Sequence, residues 1–282
     1  MPFDFDAIGR HTEPEPISWT PHQAMLYALG VGAGGENPLD ELAFTTDNTG
    51  GVEQQVLPTF AVVLGWGSKR PSYGTVDTSG LVAAQTGVVL HRPLPVSGTA
   101  MISRAIEGIY DKGSGALVTN SARITDADTG DLLVEVKGGA FIRGAGGFGG
   151  DRGPANSWTQ PERDPDATVV YRTLDRQALI YRLSGDINPL HSDPVVAAAG
   201  GFDRPILHGL CTFGFAGRAV LHAAAASDPT RVRAIGARFS SPVMPGDTLT
   251  TNIWIDGEDV SFRTSVGDRV VLDHGTAQVV PA

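Results

Sequence analysis

Gln177-Ala178-Leu179-Ile180-Tyr181-Arg182-Leu183-Ser184-Gly185, followed closely by Asn188-Pro189-Leu190, repeats a phrase from the first half of the chain. The earlier copy is Gln23-Ala24-Met25-Leu26-Tyr27-Ala28-Leu29-Gly30, followed by Asn37-Pro38-Leu39. Gln23 and Gln177 lie 154 residues apart, and Asn37 and Asn188 lie 151 apart. A third echo sets Pro93-Leu94-Pro95-Val96-Ser97-Gly98 against Pro242-Val243-Met244-Pro245-Gly246, with the closing glycines 148 apart. Three matches in one order at similar offsets indicate a duplicated domain. Chance likeness between short apolar stretches would not explain the shared order.

Each copy reads as a short helix, a broken loop and then strands. In the second copy Asp175 is a candidate cap for a helix over 176–183. Asn188-Pro189 must leave helical geometry, because the residue before proline is pushed toward extended backbone. Asp193-Pro194 then reads as an N-cap with proline at the first helical position, and Gly200-Gly201 ends that short helix. Residues 210–226 form an almost wholly apolar helix, and Gly214 and Gly217 allow close packing along it. Alternating stretches at 234–240, 248–255, 260–266 and 270–279 suit strands, with Asp256-Gly257 and Gly267-Asp268 as hairpin turns. The expectation is an α+β chain of two tandem units, each an antiparallel sheet around a central helix, with the two sheets able to join. Residues 144–167, first glycine-rich and then rich in Pro, Ser, Asp and Arg, read as a surface linker. The expected division is 1–143, the linker 144–167, and 168–282.

The chain has 282 residues and is 41% hydrophobic, which suits two domains or one large one with a real core. No apolar run reaches the roughly 18 residues that span a bilayer, and the start is acidic, so membrane insertion and secretion are not expected. Twenty-one basic residues against 31 acidic ones give a net charge of −10, which counts against nucleic acid as a partner. The single Cys211 excludes an intrachain disulfide framework. Val279-Val280-Pro281-Ala282 matches no peroxisomal or retention signal, and the cytoplasm is the expected compartment.

The densest polar run in the second half is Asp186-Ile187-Asn188-Pro189-Leu190-His191. A carboxylate, an amide and an imidazole in one proline-fixed loop can hold a water molecule and move its protons. The plainer reading is that Asp186 and Asn188 make local turn hydrogen bonds. The first copy weighs against that reading alone. There the segment is Gly35-Glu36-Asn37-Pro38-Leu39-Asp40, so the turn is kept while Asp186 and His191 are replaced. A second feature is His208-Gly209, immediately before the apolar helix. Gly209 lets a carbonyl approach its N–H closely, at a helix end where negative charge is favoured. Dyad and donor together point to chemistry beside an activated carbonyl.

Other signals carry less. Gly30-Val31-Gly32-Ala33-Gly34-Gly35 matches a dinucleotide fingerprint but follows a helix rather than a strand. Cys211 falls inside the apolar helix, where packing is the natural role for a thiol. Asp186, His191 and His208 could ligate a metal, yet no H-x-x-x-H or cysteine pairing supports one, and neither metal nor cofactor is expected.

The stretch from Tyr181 to Asp193-Pro194, continued through Gly201-Phe202-Asp203-Arg204-Pro205-Ile206-Leu207-His208-Gly209-Leu210-Cys211-Thr212, closely resembles the enoyl-CoA hydratase 2 group of the MaoC-like hydratases. The likeness extends to Tyr27-Ala28-Leu29-Gly30-Val31-Gly32-Ala33, Leu57-Pro58-Thr59-Phe60, Asp111-Lys112-Gly113-Ser114-Gly115 and Gly146-Gly147-Phe148-Gly149-Gly150. The resemblance implies a double-hotdog fold, commonly a homodimer, with the site in the C-terminal repeat. It also implies hydration of trans-2-enoyl-CoA to (3R)-3-hydroxyacyl-CoA, in fatty-acid or steroid side-chain β-oxidation, with coenzyme A entering only as part of the substrate. By motif, Asp186 and His191 would be the catalytic dyad, Asn188 would order the site, and the Gly209 N–H would polarise the thioester. Lys112 and Phe239 match positions that contact the CoA ester; the bland readings are a hairpin lysine and a core phenylalanine. Ile187, Pro189 and Leu190 flank the dyad as candidate substrate contacts. Where relatives carry His-Gly-Glu-Gln, this chain has Ala83-Ala84-Gln85-Thr86, which implies altered acyl or CoA contacts with the chemistry kept. A first repeat without the dyad, glycine-rich from Gly30 to Gly35, would have room for a long or bulky acyl group. The rival readings are a hotdog thioesterase, a hydroxyacyl-thioester dehydratase and a non-catalytic acyl-CoA-binding subunit.

Overall fold

The computed structural model describes residues 2–78, 80–155 and 158–281. The first half contains β1 (Glu15–Trp19), α1 (Pro21–Gly30), α2 (Leu42–Thr45), β2 (Leu81–Leu90), β3 (Gly98–Asp111), β4 (Gly115–Asp126) and β5 (Leu132–Arg143). The second contains β6 (Ala167–Arg172), α3 (Gln177–Tyr181), α4 (Pro194–Ala199), α5 (Gly209–Ala224), β7 (Val232–Phe239), β8 (Thr248–Asp256), β9 (Asp259–Val266) and β10 (Arg269–Val279). All ten strands form one sheet in the order β1-β3-β4-β5-β2-β7-β10-β9-β8-β6, and each half uses its strands in the same order outward from the centre. The halves meet where β2 and β7 pair antiparallel, with Gly87 opposite Gly236. Those glycines are 149 residues apart, so the sequence repeat and the spatial repeat coincide.

The repeat holds at the level of single hydrogen bonds. The Gln23 side chain accepts the Thr20 N–H at 2.9 Å, and the Gln177 side chain accepts the Leu174 N–H at 3.2 Å. Asp175 does not cap the helix as expected: Arg176 occupies the cap position and makes no side-chain cap bond, while Gln177 bonds back to the Leu174 N–H ahead of the helix. The expected single helix is also broken, since α3 ends at Tyr181 and a 3-10 turn, Arg182–Ser184, follows. The two halves touch here. Gln177 Nε2 donates to Gly30 O at 2.6 Å, and the rings of Tyr27 and Tyr181 lie 6.1 Å apart.

α5 is the central helix, buried on nearly every side. A Cβ on Gly214 would come within 2.3 Å of Val31, and one on Gly217 within 2.5 Å of Thr59, so the expected close packing is real. Each fully buried Phe or Leu on such a helix contributes about 1.5–3 kcal/mol. The first half has no helix of this length; its counterpart is a buried 3-10 segment, Pro58–Val63, packed against α5. Gly30 and Gly32 are not vacant acyl room either. Tyr181 packs on Gly30, and a Cβ on Gly32 would meet the Phe215 ring at 2.3 Å. Arg218 of α5 is buried and paired with Glu41, which also accepts the Gly34 N–H at 2.9 Å and His222 Nε2–H at 2.8 Å.

The described residues of 144–166 carry neither helix nor strand, yet they are held. Asp111 accepts N–H groups from Gly147 at 2.8 Å, Gly113 at 2.8 Å and Gly149 at 2.7 Å, which keep its carboxyl below the usual range. Trp158 stacks on His274 at 5.2 Å and donates to Gly275 O at 3.1 Å. Trp254 donates to Arg163 O at 2.9 Å.

Candidate active site

The loop between α3 and α4 is shaped by its own side chains. Asn188 Oδ1 accepts the Leu190 N–H at 3.0 Å and caps a 3-10 turn, Pro189–His191. Asn37 Oδ1 accepts the Leu39 N–H at 3.1 Å in the first copy, so both repeats build the same turn. The plain reading of Asn188 as a turn former is thus part of the truth, and the residue orders the loop. Asp186 Oδ1 accepts the Asn188 N–H at 3.2 Å, which orients the carboxylate. Gly185 precedes it at φ 120°, a left-handed value that favours glycine, and a Cβ there would sit 3.1 Å from Trp66.

His191 ends the turn and is 9% exposed. Its Nδ1 lies 2.9 Å from Ile206 O. A carbonyl can only accept, so Nδ1 carries the proton and Nε2 keeps its lone pair. Burial lowers the His191 pKa from the usual histidine value, while the Ile206 carbonyl and the Asp186 charge pull it back up. The ring is therefore neutral at pH 7 and able to accept a proton.

His208, named in the sequence as a possible third ligand beside Asp186 and His191, does join them. One ligating atom each from Asp186, His191 and His208 lie within 4.8 Å of one another. His208 Nε2–H donates to the main-chain oxygen of Asp186 at 3.0 Å, and its ring stacks on His191 at 3.8 Å and 28°. Burial, then the neighbouring His191, push its pKa down to about 3. His208 Nε2 is engaged by the Asp186 carbonyl, and among the described residues neither a cysteine nor a second carboxylate joins the three groups. A bridging water making two hydrogen bonds of about 2.8 Å at its natural angle spans about 4.6 Å, which is comparable to the 4.8 Å within which the three groups lie.

Gly209 follows His208 and is the first residue of α5, where His208 makes no side-chain cap. Its N–H has no intrahelical acceptor and sits at the positive end of a 16-residue helix. Phe239 lies against it: a Cβ on Gly209 would be 3.1 Å from that ring. One step beyond the last β2–β7 pair, Gln85 with Arg238, come Ala84 on one strand and Phe239 on the other. Ala84 is the extra residue of a bulge between the Ala83–Ala140 and Gln85–Gly139 pairs. The chain's departure from the His-Gly-Glu-Gln run therefore falls beside the Phe239–Gly209 contact.

Ile187 is 68% exposed, Pro189 is exposed and Leu190 half-buried, so this flank of the loop is open. Lys112 stands apart from the loop, in the β3–β4 turn, where its ammonium donates to Arg152 O and lies 5.9 Å from the Tyr110 ring centre. Cys211 is fully buried, donates to Gly30 O at 3.3 Å and has its thiol pKa raised by burial, so it packs as expected. Trp66 was not singled out from the sequence. Arg104 holds its loop by donating to Gly65 O at 3.0 Å and Ser68 Oγ at 2.9 Å, and the first repeat thereby presses on the Asp186 loop. The paired glycines of Gly65-Trp66-Gly67 were the only sequence signal for it.

Comparison with known proteins places each half. Residues 17–144 match the MFE-2 hydratase 2 N-terminal domain, and residues 157–275 match the MaoC like domain. A protein of Mycobacterium tuberculosis named 3-hydroxyacyl-thioester dehydratase Y is 43% identical over 99% of both chains. Another from the same organism, named enoyl-CoA hydratase ChsH3, is 43% identical over 100% of both. The crystal structure of a MaoC-like dehydratase from Phytophthora capsici superposes with a TM-score of 0.88 at 29% identity, over 98% of each chain. With both halves matched and whole-length relatives at this identity, the chain belongs to the MaoC-like family, in its hydratase 2 branch, and carries that family's double-hotdog fold.

Proposed function

We propose that the protein is an (R)-specific 2-enoyl-CoA hydratase, a hydro-lyase that adds water to trans-2-enoyl-CoA and yields (3R)-3-hydroxyacyl-CoA in fatty-acid or steroid side-chain β-oxidation. The observation that carries this is the convergence of Asp186, His191 and His208 within 4.8 Å, a span that a bridging water can close, with the Gly209 N–H next in the chain. The thioester oxygen accepts from Gly209 N–H. Water held by the dyad gives up a proton as its oxygen bonds to C3, and electrons shift through C2 to the thioester oxygen, where the donor and the α5 dipole stabilise the charge. The enolate-like state collapses as C2 takes a proton from the dyad. One water molecule is consumed, its hydroxyl at C3 and a proton at C2. Which side chain carries the proton at each stage is a property of the coupled pair.

The relatives' names, hydratase and dehydratase, describe the two directions of this one reaction. Dehydration of a hydroxyacyl thioester is accordingly the second reading, with the same residues in the same places. The first repeat, whose Trp66 reaches the Asp186 loop, is proposed to help accommodate the acyl group. Ala83, Ala84 and Phe239 are proposed contacts to the thioester end, and Lys112 to the CoA part. A homodimer is proposed to use the exposed apolar side chains Leu179, Leu183, Ile187 and Val195, each more than half exposed in this chain. None of the described helices is long and apolar enough to cross a membrane. A cytoplasmic setting is supported by the single buried, unpaired Cys211.

The test is to incubate purified protein with enoyl-CoAs of graded length and a steroid-type ester. Absorbance of the conjugated thioester should fall, and chiral analysis should return the R product. Asp186→Asn and His191→Ala should each lower kcat by about 10²–10⁴-fold with the fold intact. Full activity in both variants, or release of free thiol instead of hydration, would defeat the reading.

A further inference from the structure

We propose that His208 is the positioning residue of the dyad, holding Asp186 by its main chain and His191 by its ring face while fixing both to the first N–H of α5. The inference rests on the hydratase reading above and adds to it a residue that need not touch the reacting atoms.

Three contacts converge on this one side chain and its peptide. Nε2–H donates to Asp186 O at 3.0 Å across 22 residues of chain, so the peptide of the acting carboxylate cannot swing away. The ring lies on His191 at 3.8 Å and is backed on another side by Tyr181, whose ring centre is 4.9 Å away. The main-chain oxygen accepts the Thr212 N–H at 3.1 Å and makes His208 the N-cap of α5, directly ahead of Gly209. A single residue thus ties the catalytic loop to the helix end that supplies the oxyanion donor.

Space-filling alone does not account for a histidine here. Nδ1 is buried with no hydrogen-bond partner among the protein atoms, a penalty that an apolar ring of similar shape would avoid. Phenylalanine would stack on His191 and fill the site. What phenylalanine lacks is the Nε2–H aimed at Asp186. The geometry that matters is a separation of under 5 Å between two reacting groups, and displacement of about 1 Å in such a site costs about 10²-fold in rate.

The experiment compares His208→Phe with His208→Gln, whose side-chain amide can place a donor where Nε2 stands. Kinetics with a short enoyl-CoA should show kcat lowered about 30- to 100-fold in the Phe variant with KM within threefold, and Gln should recover kcat to within about fivefold of the parent. A Tm at or above that of the parent in the Phe variant separates this loss from unfolding. Asp186→Asn is the control: if it is inert while His208→Phe turns over like the parent, the positioning role is overturned and the hydratase reading stands. If the parent itself does not hydrate, the imidazole ¹⁵N spectrum decides. His191 should show one sharp Nδ1–H tautomer in the parent and exchange-broadened signals in His208→Phe, and identical spectra would overturn the proposal without reference to turnover.

Discussion

Gly209 has room for nothing more than hydrogen on its Cα, because Phe239 is already in contact range of a Cβ. Gly209→Ala should push that ring or the helix start by a few tenths of an ångström. We expect kcat/KM to fall about 10- to 100-fold with little change in Tm, read by steady-state kinetics beside thermal melting. The acid limb of the rate profile belongs to the same scale. His191 must be neutral to accept a proton, and burial lowers its pKa, so activity should persist below the ordinary histidine value before it fails. A kcat/KM profile with its acid limb above pH 6.5 would contradict that assignment. The approach of Asp186 to His191 was legible in the sequence because both sit within six residues of one proline-fixed turn whose counterpart lacks them. His208 could be named beside them only as a possible third ligand; its stacking on His191 and its bond to the Asp186 main chain were hidden, since the ring arrives only after 17 further residues of chain fold back.

Among the elements, α5 was the easiest to foresee and its partners the hardest. An unbroken apolar run with two glycines declares a buried helix, and the structure starts it at Gly209 as the helix-end argument required. The strands after it were placed to within two residues, because Asp-Gly and Gly-Asp pairs mark their turns. What anchors α5 to the first repeat was hidden: Arg218 reads as a lone charge in an apolar helix, and Glu41 as a surface acid. Desolvation opposes the Glu41 charge, but hydrogen bonds from His222, Arg218 and the Gly34 N–H outweigh it and lower its pKa to about 2. Glu41→Gln should therefore destabilise the fold by about 3 kcal/mol, since it leaves a buried guanidinium without its counter-charge. Urea denaturation at pH 7 reads this directly. The glycine-rich stretch after β5 reads as a surface linker, and what holds it is hidden, because a single aspartate 36 residues upstream cannot be matched to it by spacing.

For the whole molecule, His208 and Glu41 contribute to the response to acid in two separate windows. His208 is neutral when folded, with a pKa of about 3, whereas in the unfolded chain it takes up a proton below the ordinary histidine value of 6.5. The unfolded state then binds more protons, so stability falls as pH drops from 6.5 toward 3, by up to about 1.4 kcal/mol per pH unit. Glu41 acts in a lower window: its depressed pKa stabilises the fold above 4.5, and that contribution is lost between 4.5 and about 2. Denaturant titrations from pH 7 to 4 should show this slope in the parent and a shallower one in His208→Phe. An equal slope in both would remove His208 from the account.

The Gly87–Gly236 pairing at the centre of the sheet has a further consequence. Two identical subunits meeting across such a strand pair would be bound by symmetry, and every substitution would appear on both sides. Covalent fusion lifts that obligation. In one fused chain the two halves can differ, and the first carries Gly35 and Asp40 where the second carries Asp186 and His191. Asymmetric substrates, bulky at one end and reactive at the other, are what such an unequal pair can seat and a strictly symmetric one cannot.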